Sequence, residues 1–339
     1  MQRRIFTLTL GLVVTFVSHL AVAQYQVTNL VSNQVSWAKH PDPLSANAWG
    51  IAYGPGGPIW IADNTSGWST LYNGSGVAKS LKVEIPTASG GGVGSPTGLV
   101  FNGSGEFPVA GWSAFFIFAT LDGTISGWAP QSDLNNTIIA VNNSASGAVY
   151  TGLAITTHAS GNFLYAADSA NGKVDMFDAN FGFVKSFTDP NVPAGFTPFG
   201  IADIHGMVFV SFANPDGSLG GVVDIFQEDG TFVKTFASGF PLNQPWGFAV
   251  APSNFGPLSN TVLISNNTNT GTINAFDMTT GKFIATMRDK NGKQIHIDQL
   301  WGIEFGGGTA NNGRKNELFF TAGPGNNVAG LVGAISFMP

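Results

Sequence analysis

The sequence contains no cysteine, which excludes disulfide staples, thiolate nucleophiles and every metal site built on sulfur. Charge is also scarce: Asp, Glu, Lys and Arg make up 10% of the 339 residues, against about a quarter in a typical globular chain. The charge present leans acidic, with 20 acidic residues, 14 basic ones and a formal net charge of −6. Without a basic surplus the chain has no electrostatic footprint for nucleic acid, whose binding depends on Lys and Arg against phosphate. Familiar catalytic patterns are missing as well. There is no Gly-x-Ser-x-Gly elbow, no His-Glu-x-x-His pair and no complete calcium loop. "DKNGK" (residues 289–293) starts like a calcium loop but lacks the later acids, and reads as a Gly-bearing turn. The triple-Gly runs at 90–92 and 306–308 sit in loops rather than between a strand and a helix, so they are poor phosphate cradles.

The one long apolar run lies at the start. Arg3 and Arg4 precede an apolar core over residues 5–17, and Ala21-Val22-Ala23 forms a small-x-small cleavage site. That order predicts a secretory leader over 1–23, with the mature chain starting near Gln24 and carrying a formal charge of −8, from 12 basic and 20 acidic residues. A retained N-terminal anchor is the alternative, and the short core argues against it. No second such run follows, so the remainder is expected to be exported to the periplasm or the exterior, free of the membrane after cleavage. A chain this long can bury enough apolar area to fold without disulfides.

What the sequence has in abundance is Gly (45) and Phe (28), and both are periodic. A residue followed by Gly and then by alternating apolar positions recurs at Trp49-Gly50, Thr97-Gly98, Thr151-Gly152, Phe199-Gly200, Trp246-Gly247 and Trp301-Gly302, at intervals of 48, 54, 48, 47 and 55 residues. Each copy continues into a second strand: "IWIAD" (59–63), "FIFAT" (116–120), "FLYAAD" (163–168), "VFVSF" (208–212), "VLISN" (262–266) and "LFFTAG" (318–323). A third strand ends in or near an aromatic, from "STLYN" (69–73) to "GAISFM" (333–338). Three copies show a clear fourth strand, "FVKSF" (183–187), "FVKTF" (232–236) and "FIATM" (283–287). Asp229-Gly230 and Thr280-Gly281 supply the tight turns before two of them. Four strands at a period near 50 are the mark of a β-propeller blade, and six units predict an all-β, six-bladed propeller over residues 24–339. The sixth unit lacks its fourth strand. "YQVTNLVSN" (25–33) is spare and is expected to complete blade six, closing the ring and removing exposed sheet edges. The repeated Gly is expected where inner strands crowd about the axis.

"NLVSN" (29–33), "DPLSANAWGIAYGPGGPIWIADNTSGWSTLYNGSG" (42–76), "QPWGFAVAPSNFG" (244–256) and "LWGIEFGGG" (300–308) together resemble an uncharacterised family of exported bacterial proteins, related in pattern to NHL-type propellers. The resemblance spans nearly the whole mature chain. Some members of that family carry a C-terminal PEP-type sorting signal with a membrane span and a basic tail. This sequence ends at Pro339 with neither, so surface anchoring is not expected from it. The resemblance implies no activity.

Candidate functional residues follow from the blade plan. Polar residues stand after the second strand of each blade: Asp63-Asn64, Asp122, Asp168, Asn214, Asn266-Asn267 and Asn326-Asn327. Those loops share a face with the Trp-Gly positions, so Trp49, Asp63, Asn64, Asp168, Trp246, Asn266, Asn267 and Trp301 are the candidate ligand-binding set, with indole faces for stacking and amides for hydroxyls. Any one of these Asp or Asn residues can equally serve its own turn. His40, His158, His205 and His296 are scattered around the ring and read as turn residues rather than metal ligands. The favoured reading is a monomeric, non-catalytic binding propeller for a polar small molecule, a glycan or a protein loop. The alternative is a metal-assisted hydrolase, lactonase or lyase with an axial Ca²⁺. Along the first strands acids occur at Asp203 and Glu304, and Glu304 stands where the other copies have Ala or Val. If Glu304 points into the channel near Asp63 or Asp168 it is a candidate base or calcium ligand; turned outward it is a packed or paired residue.

Overall fold

The second strand of each repeat is apolar almost throughout because it is covered on both faces. Ile59–Asp63, Phe116–Thr120 and Thr261–Asn266 are buried along their whole length, as strands in the middle of stacked sheets must be. Fourth strands show the opposite pattern: Phe183–Phe187 and Phe283–Thr286 lie at the rim and are largely exposed. The structure is a computed structural model and describes residues 25–158 and 161–338. The leader expected over 1–23 lies outside those residues.

The sheets are six four-stranded antiparallel blades, each running from an inner strand at the axis to an outer strand at the rim. The inner strands are Ala48–Tyr53, Pro96–Phe101, Tyr150–His158, Thr197–Ile204, Pro245–Val250 and Leu300–Phe305. Blades one and two complete their sheets with Ala78–Glu84 and Ile138–Asn142, two outer strands that the sequence pattern did not reveal. Lysines interrupt the first, and the irregular stretch 129–137 separates the second from its hairpin partner. Blade two also carries a small hairpin, Pro108–Val109 with Trp112–Ser113, between its first two strands.

Closure occurs where expected. Tyr25–Ser32 pairs antiparallel with Leu331–Phe337, from Tyr25 opposite Phe337 to Ser32 opposite Leu331, with a one-residue register shift between Asn29 and Val31. His40–Pro41 then adds a short parallel edge to the same sheet. Tyr25 ties this strand to blade five as well, since its hydroxyl donates to the Phe255 carbonyl at 2.7 Å and its ring packs on Phe255 at 4.9 Å. The N-terminal strand therefore staples two blades.

The repeated glycines form a ring about the axis. A Cβ on Gly50 would lie 2.5 Å from the Thr97 carbonyl oxygen, one on Gly98 2.2 Å from the Leu153 nitrogen, and one on Gly152 3.1 Å from the Phe199 oxygen. On Gly200, Gly247 and Gly302 it would lie 2.0, 2.6 and 2.7 Å from the carbonyl oxygens of Trp246, Trp301 and Trp49. Each glycine thus abuts the equivalent backbone of the next blade, and the sixth meets the first. None of these six has a left-handed φ. Close approach, not backbone freedom, requires them.

Candidate functional site

Two openings flank the axis, and the residue before each repeat glycine decides their character. Where that residue is Trp the chain turns inward through a left-handed amide residue two positions earlier: Asn47 (φ 51°), Gln244 (φ 51°) and Gln299 (φ 50°). Their carbonyls accept from the backbone nitrogens of Asn64, Asn267 and Gly323 at 3.0, 2.8 and 2.9 Å. This common turn swings Trp49, Trp246 and Trp301 across the axis. The indoles of Trp49 and Trp301 stack at 3.5 Å, and Trp246 meets them edge-on at 6.2 and 5.6 Å. Leu121 and Phe199 pack against the cluster, and the three Trp are 6%, 8% and 2% exposed. They plug the axis rather than present the open stacking faces that the sequence predicts. Blades two and three carry Thr97 and Thr151 instead, whose hydroxyls bond carbonyls of the next blade.

Hydroxyls reinforce the plug from below. In blades five and six Ser265 and Thr321 accept from the Gly247 and Gly302 nitrogens at 2.8 Å each, and donate to the carbonyls of Trp301 and Trp49. Blade four does the same through Ser211, from Gly200 to Pro245. Of the indole nitrogens, Trp246 Nε1 donates to the Thr151 carbonyl at 3.0 Å and Trp301 Nε1 to Asn327 Oδ1 at 3.3 Å. Trp49 Nε1 is buried with no partner among the described residues.

Most of the polar residues proposed from the sequence turn inward. Asp63 accepts from the backbone and hydroxyl of Thr70, and burial raises its carboxyl well above the usual carboxylate range. Asn64 bridges Asn47 and the Pro96 carbonyl, and Asp168 holds the turn from Val149 to Asn171. Asn266 donates to the Pro241 carbonyl and accepts from the Asn243 nitrogen. Within the set, Asn267 is the residue that lines a cavity on this face.

That cavity, about 620 Å³, lies beside the plug between blades three to six. Amides converge on it: Asn243, Gln244, Asn267, Asn269 and Gln299. Hydroxyls come from Thr151, Ser169, Thr268 and Thr270, and apolar surface from Phe199, Pro215 and Leu219. No charged side chain is among its lining residues. Several amides spend only half of their capacity internally. Asn267 Nδ2 donates to the Leu300 carbonyl, Gln299 Nε2 to Asn269 Oδ1, and Gln244 Nε2 to the carbonyls of Asn214 and Ser218. The remaining acceptor of Gln299 and the amide nitrogens of Asn243 and Asn269 face no partner among the described residues. Gln244 and Gln299 escaped the sequence reading, although an amide two residues before each Trp was visible in "NAWG", "QPWG" and "QLWG".

On the other side of the plug, the axial channel holds about 550 Å³ between the far halves of the inner strands. Its walls are mostly aliphatic, with Tyr53, Phe101 and Phe305 among the aromatics. Glu304 lines it, so the inward alternative holds for its placement, but Asp63 and Asp168 are not among the lining residues. Burial among apolar walls pushes the Glu304 carboxyl up to about 7, against the opposing pull of a hydrogen bond from the Phe305 backbone N–H. The phenol of Tyr53 is pushed up to about 12, by burial first and the Glu304 charge second; its hydroxyl donates to the Phe305 carbonyl at 2.8 Å. Asp203 lines the same channel and accepts from the Gly206 nitrogen at 3.0 Å. A calcium ion wants about six to eight oxygen ligands. Among the described residues no three His, Asp or Glu side chains converge.

No model of a known protein family matches the chain. It is 32% identical over 338 residues to the uncharacterised protein R648 of Acanthamoeba polyphaga mimivirus, a similarity covering 93% of this chain and 81% of that protein. Among solved structures it resembles XC5397 of Xanthomonas campestris, a gluconolactonase, with a TM-score of 0.57 at 12% identity, covering 87% of this chain and 88% of that one. It also resembles a streptogramin B lyase, with a TM-score of 0.55 at 12% identity over 94% and 99% of the two chains. Likeness at that identity carries the six-bladed, NHL-type propeller fold and nothing of the chemistry, because one fold hosts many activities. R648 is a viral protein, so this similarity does not confirm the resemblance to exported bacterial proteins.

Proposed function

The chain belongs to the same family as the mimivirus protein R648, and we propose that it is an exported, non-catalytic propeller that binds a neutral, hydroxyl-rich ligand of glycan type. The observation that carries this reading is the uncharged amide and hydroxyl lining of the 620 Å³ cavity beside the tryptophan plug. Hydroxyl groups of a sugar both donate and accept, and a ring of amides offers both functions without the desolvation cost of a charge. Phe199 and Pro215 supply apolar surface for a sugar's C–H face. Export is supported by the leader pattern of residues 1–23 and by the resemblance to exported bacterial proteins. The hydrolase, lactonase or lyase reading has less behind it, because the described acids do not form a cation cage.

The test is a panel of neutral, acidic and basic oligosaccharides measured by calorimetry against the wild type and the Asn267→Ala and Gln299→Ala variants. Neutral sugars are expected to bind. Each truncation is expected to weaken them by about tenfold, the scale of one or two lost hydrogen bonds, with little change in melting temperature. A panel in which nothing binds, or in which neither truncation matters, sinks the proposal.

A further inference from the structure

The axial channel is a second site, on the opposite side of the plug from the amide cavity. We propose that it binds a small organic cation: an apolar body against the aliphatic wall and one ammonium group against the Glu304 carboxylate. Three observations lead there. The channel has room for a molecule of that size, about 550 Å³, and most of its lining is Ile, Leu, Val, Ala and Phe. Its charged residues are Asp203 and Glu304, and no Lys, Arg or His lines it. Glu304 replaces the Ala or Val found at the same inner-strand position in the other blades, namely Ala52, Val100, Ala154, Ala202 and Ala249.

The fold therefore does not need a carboxyl there, and pays for one. A carboxylate between apolar walls, half-buried and with no basic partner among the described residues, is unfavourable, and these surroundings raise the Glu304 carboxyl to about 7. A bound ammonium supplies the missing countercharge in a place where water screens it weakly. The groups that bear on Glu304 from neighbouring elements are Tyr53 on the inner strand of blade one and, around the channel, Asp203 on that of blade four; its own hairpin partner places Phe319 opposite. None of these is basic. The floor of the channel includes Trp246, so indole fluorescence reports occupancy.

The experiment compares benzylamine with benzyl alcohol, equal in shape and different in charge, by calorimetry and Trp fluorescence on the full propeller at about pH 8 and about pH 6. Benzylamine is expected to bind at least tenfold tighter than the alcohol at the higher pH, about the worth of one charge-assisted hydrogen bond. The preference is expected to shrink at the lower pH as Glu304 takes up a proton. Glu304→Gln and Glu304→Ala are expected to abolish both the preference and its pH dependence while leaving alcohol binding intact. The Ala variant recreates what four other blades already carry, so it tests the site in a fold-compatible background. Equal binding of amine and alcohol, a preference that survives both substitutions, or displacement of benzylamine by Ca²⁺ overturns the proposal. Sugar binding at the amide cavity is unaffected by either Glu304 variant on this reasoning, so failure of one site leaves the other standing.

Discussion

Substituting the six repeat glycines by Ala one at a time tests the closed ring directly, because the added methyl is the same and only the clearance differs. At Gly152 the nearest atom is 3.1 Å away, a few tenths inside ordinary contact at 3.4 Å; at Gly200 it is 2.0 Å away. The obstructing atom at Gly200 is the Trp246 carbonyl oxygen, which cannot rotate aside as a side chain can. Overpacking a core by one methyl costs about 1–3 kcal/mol and more where backbone must move. Ala also restrains the unfolded chain, which returns about 0.4–1 kcal/mol. The net expectation is a near-neutral Gly152→Ala and a loss of about 3 kcal/mol for Gly200→Ala, with Gly302, Gly247, Gly50 and Gly98 between them in that order of clearance. For a domain of this size each kcal/mol moves the midpoint by about 2 °C, so Gly200→Ala lowers Tm by about 6 °C. Denaturant midpoints and calorimetry across the series provide the assay. If the six losses show no relation to the clearances, or if Gly200→Ala matches wild type, the blades do not approach as described and the reason given for the repeat is wrong.

Removing residues 25–33 is expected to lower stability far more than a loop deletion of equal length, because it unpairs Leu331–Phe337 and removes the Tyr25 staple to blade five; an unchanged melting temperature would place closure elsewhere. Trp246→Ala is expected to cost about 3–5 kcal/mol as a buried truncation, and the Trp246→Ala, Trp301→Ala pair to fall short of additivity through the 5.6 Å edge-on contact; strict additivity would deny the plug. Stability is expected to fall as pH rises from about 5 to about 8. Burial lifts Asp224 and Glu304 to about 7, and Asp63 upward as well. Their protonated forms are favoured in the folded state, so the stability they contribute is whole below the ordinary carboxyl range and lost through about pH 7. Asp133, Asp229, Asp277 and Asp289 are shifted down instead, and matter only in more acidic solution. Asp224→Asn and Glu304→Gln should flatten the profile, and a Tm that climbs steadily to pH 8 would contradict it. Mass analysis of the purified exported protein is expected to place its first residue near Gln24; a chain retaining residues before Ala21 would end the leader reading.

Blade number, strand order and the closing role of residues 25–33 were legible in the sequence because they depend on a period. A strand that must be buried on both faces is written as an apolar run, and a turn that must be tight is written with Gly, Asp or Asn, whatever the rest of the molecule does. The outer strands of blades one and two escaped for the converse reason: rim strands are half solvated, and Lys79 and Lys82 are as acceptable there as Val184. The site was legible only as composition. Amides and indoles were identified on one face, yet which of them meet a ligand depends on how far each projects, and that is set by packing between blades. Asp63, Asn64, Asp168 and Asn266 are consumed by neighbouring backbone, whereas Gln244 and Gln299 reach the cavity from left-handed turns that look like any other residue in the chain. The indoles could be read as open stacking faces until three of them were brought to one axis, where they bury one another. Whether Glu304 faced the channel was equally undecidable along the strand, since a shift of one position reverses every side chain. Periodicity is a local property carried by each segment, and it survives in one dimension; convergence is a property of six segments at once, and only the closed ring decides it.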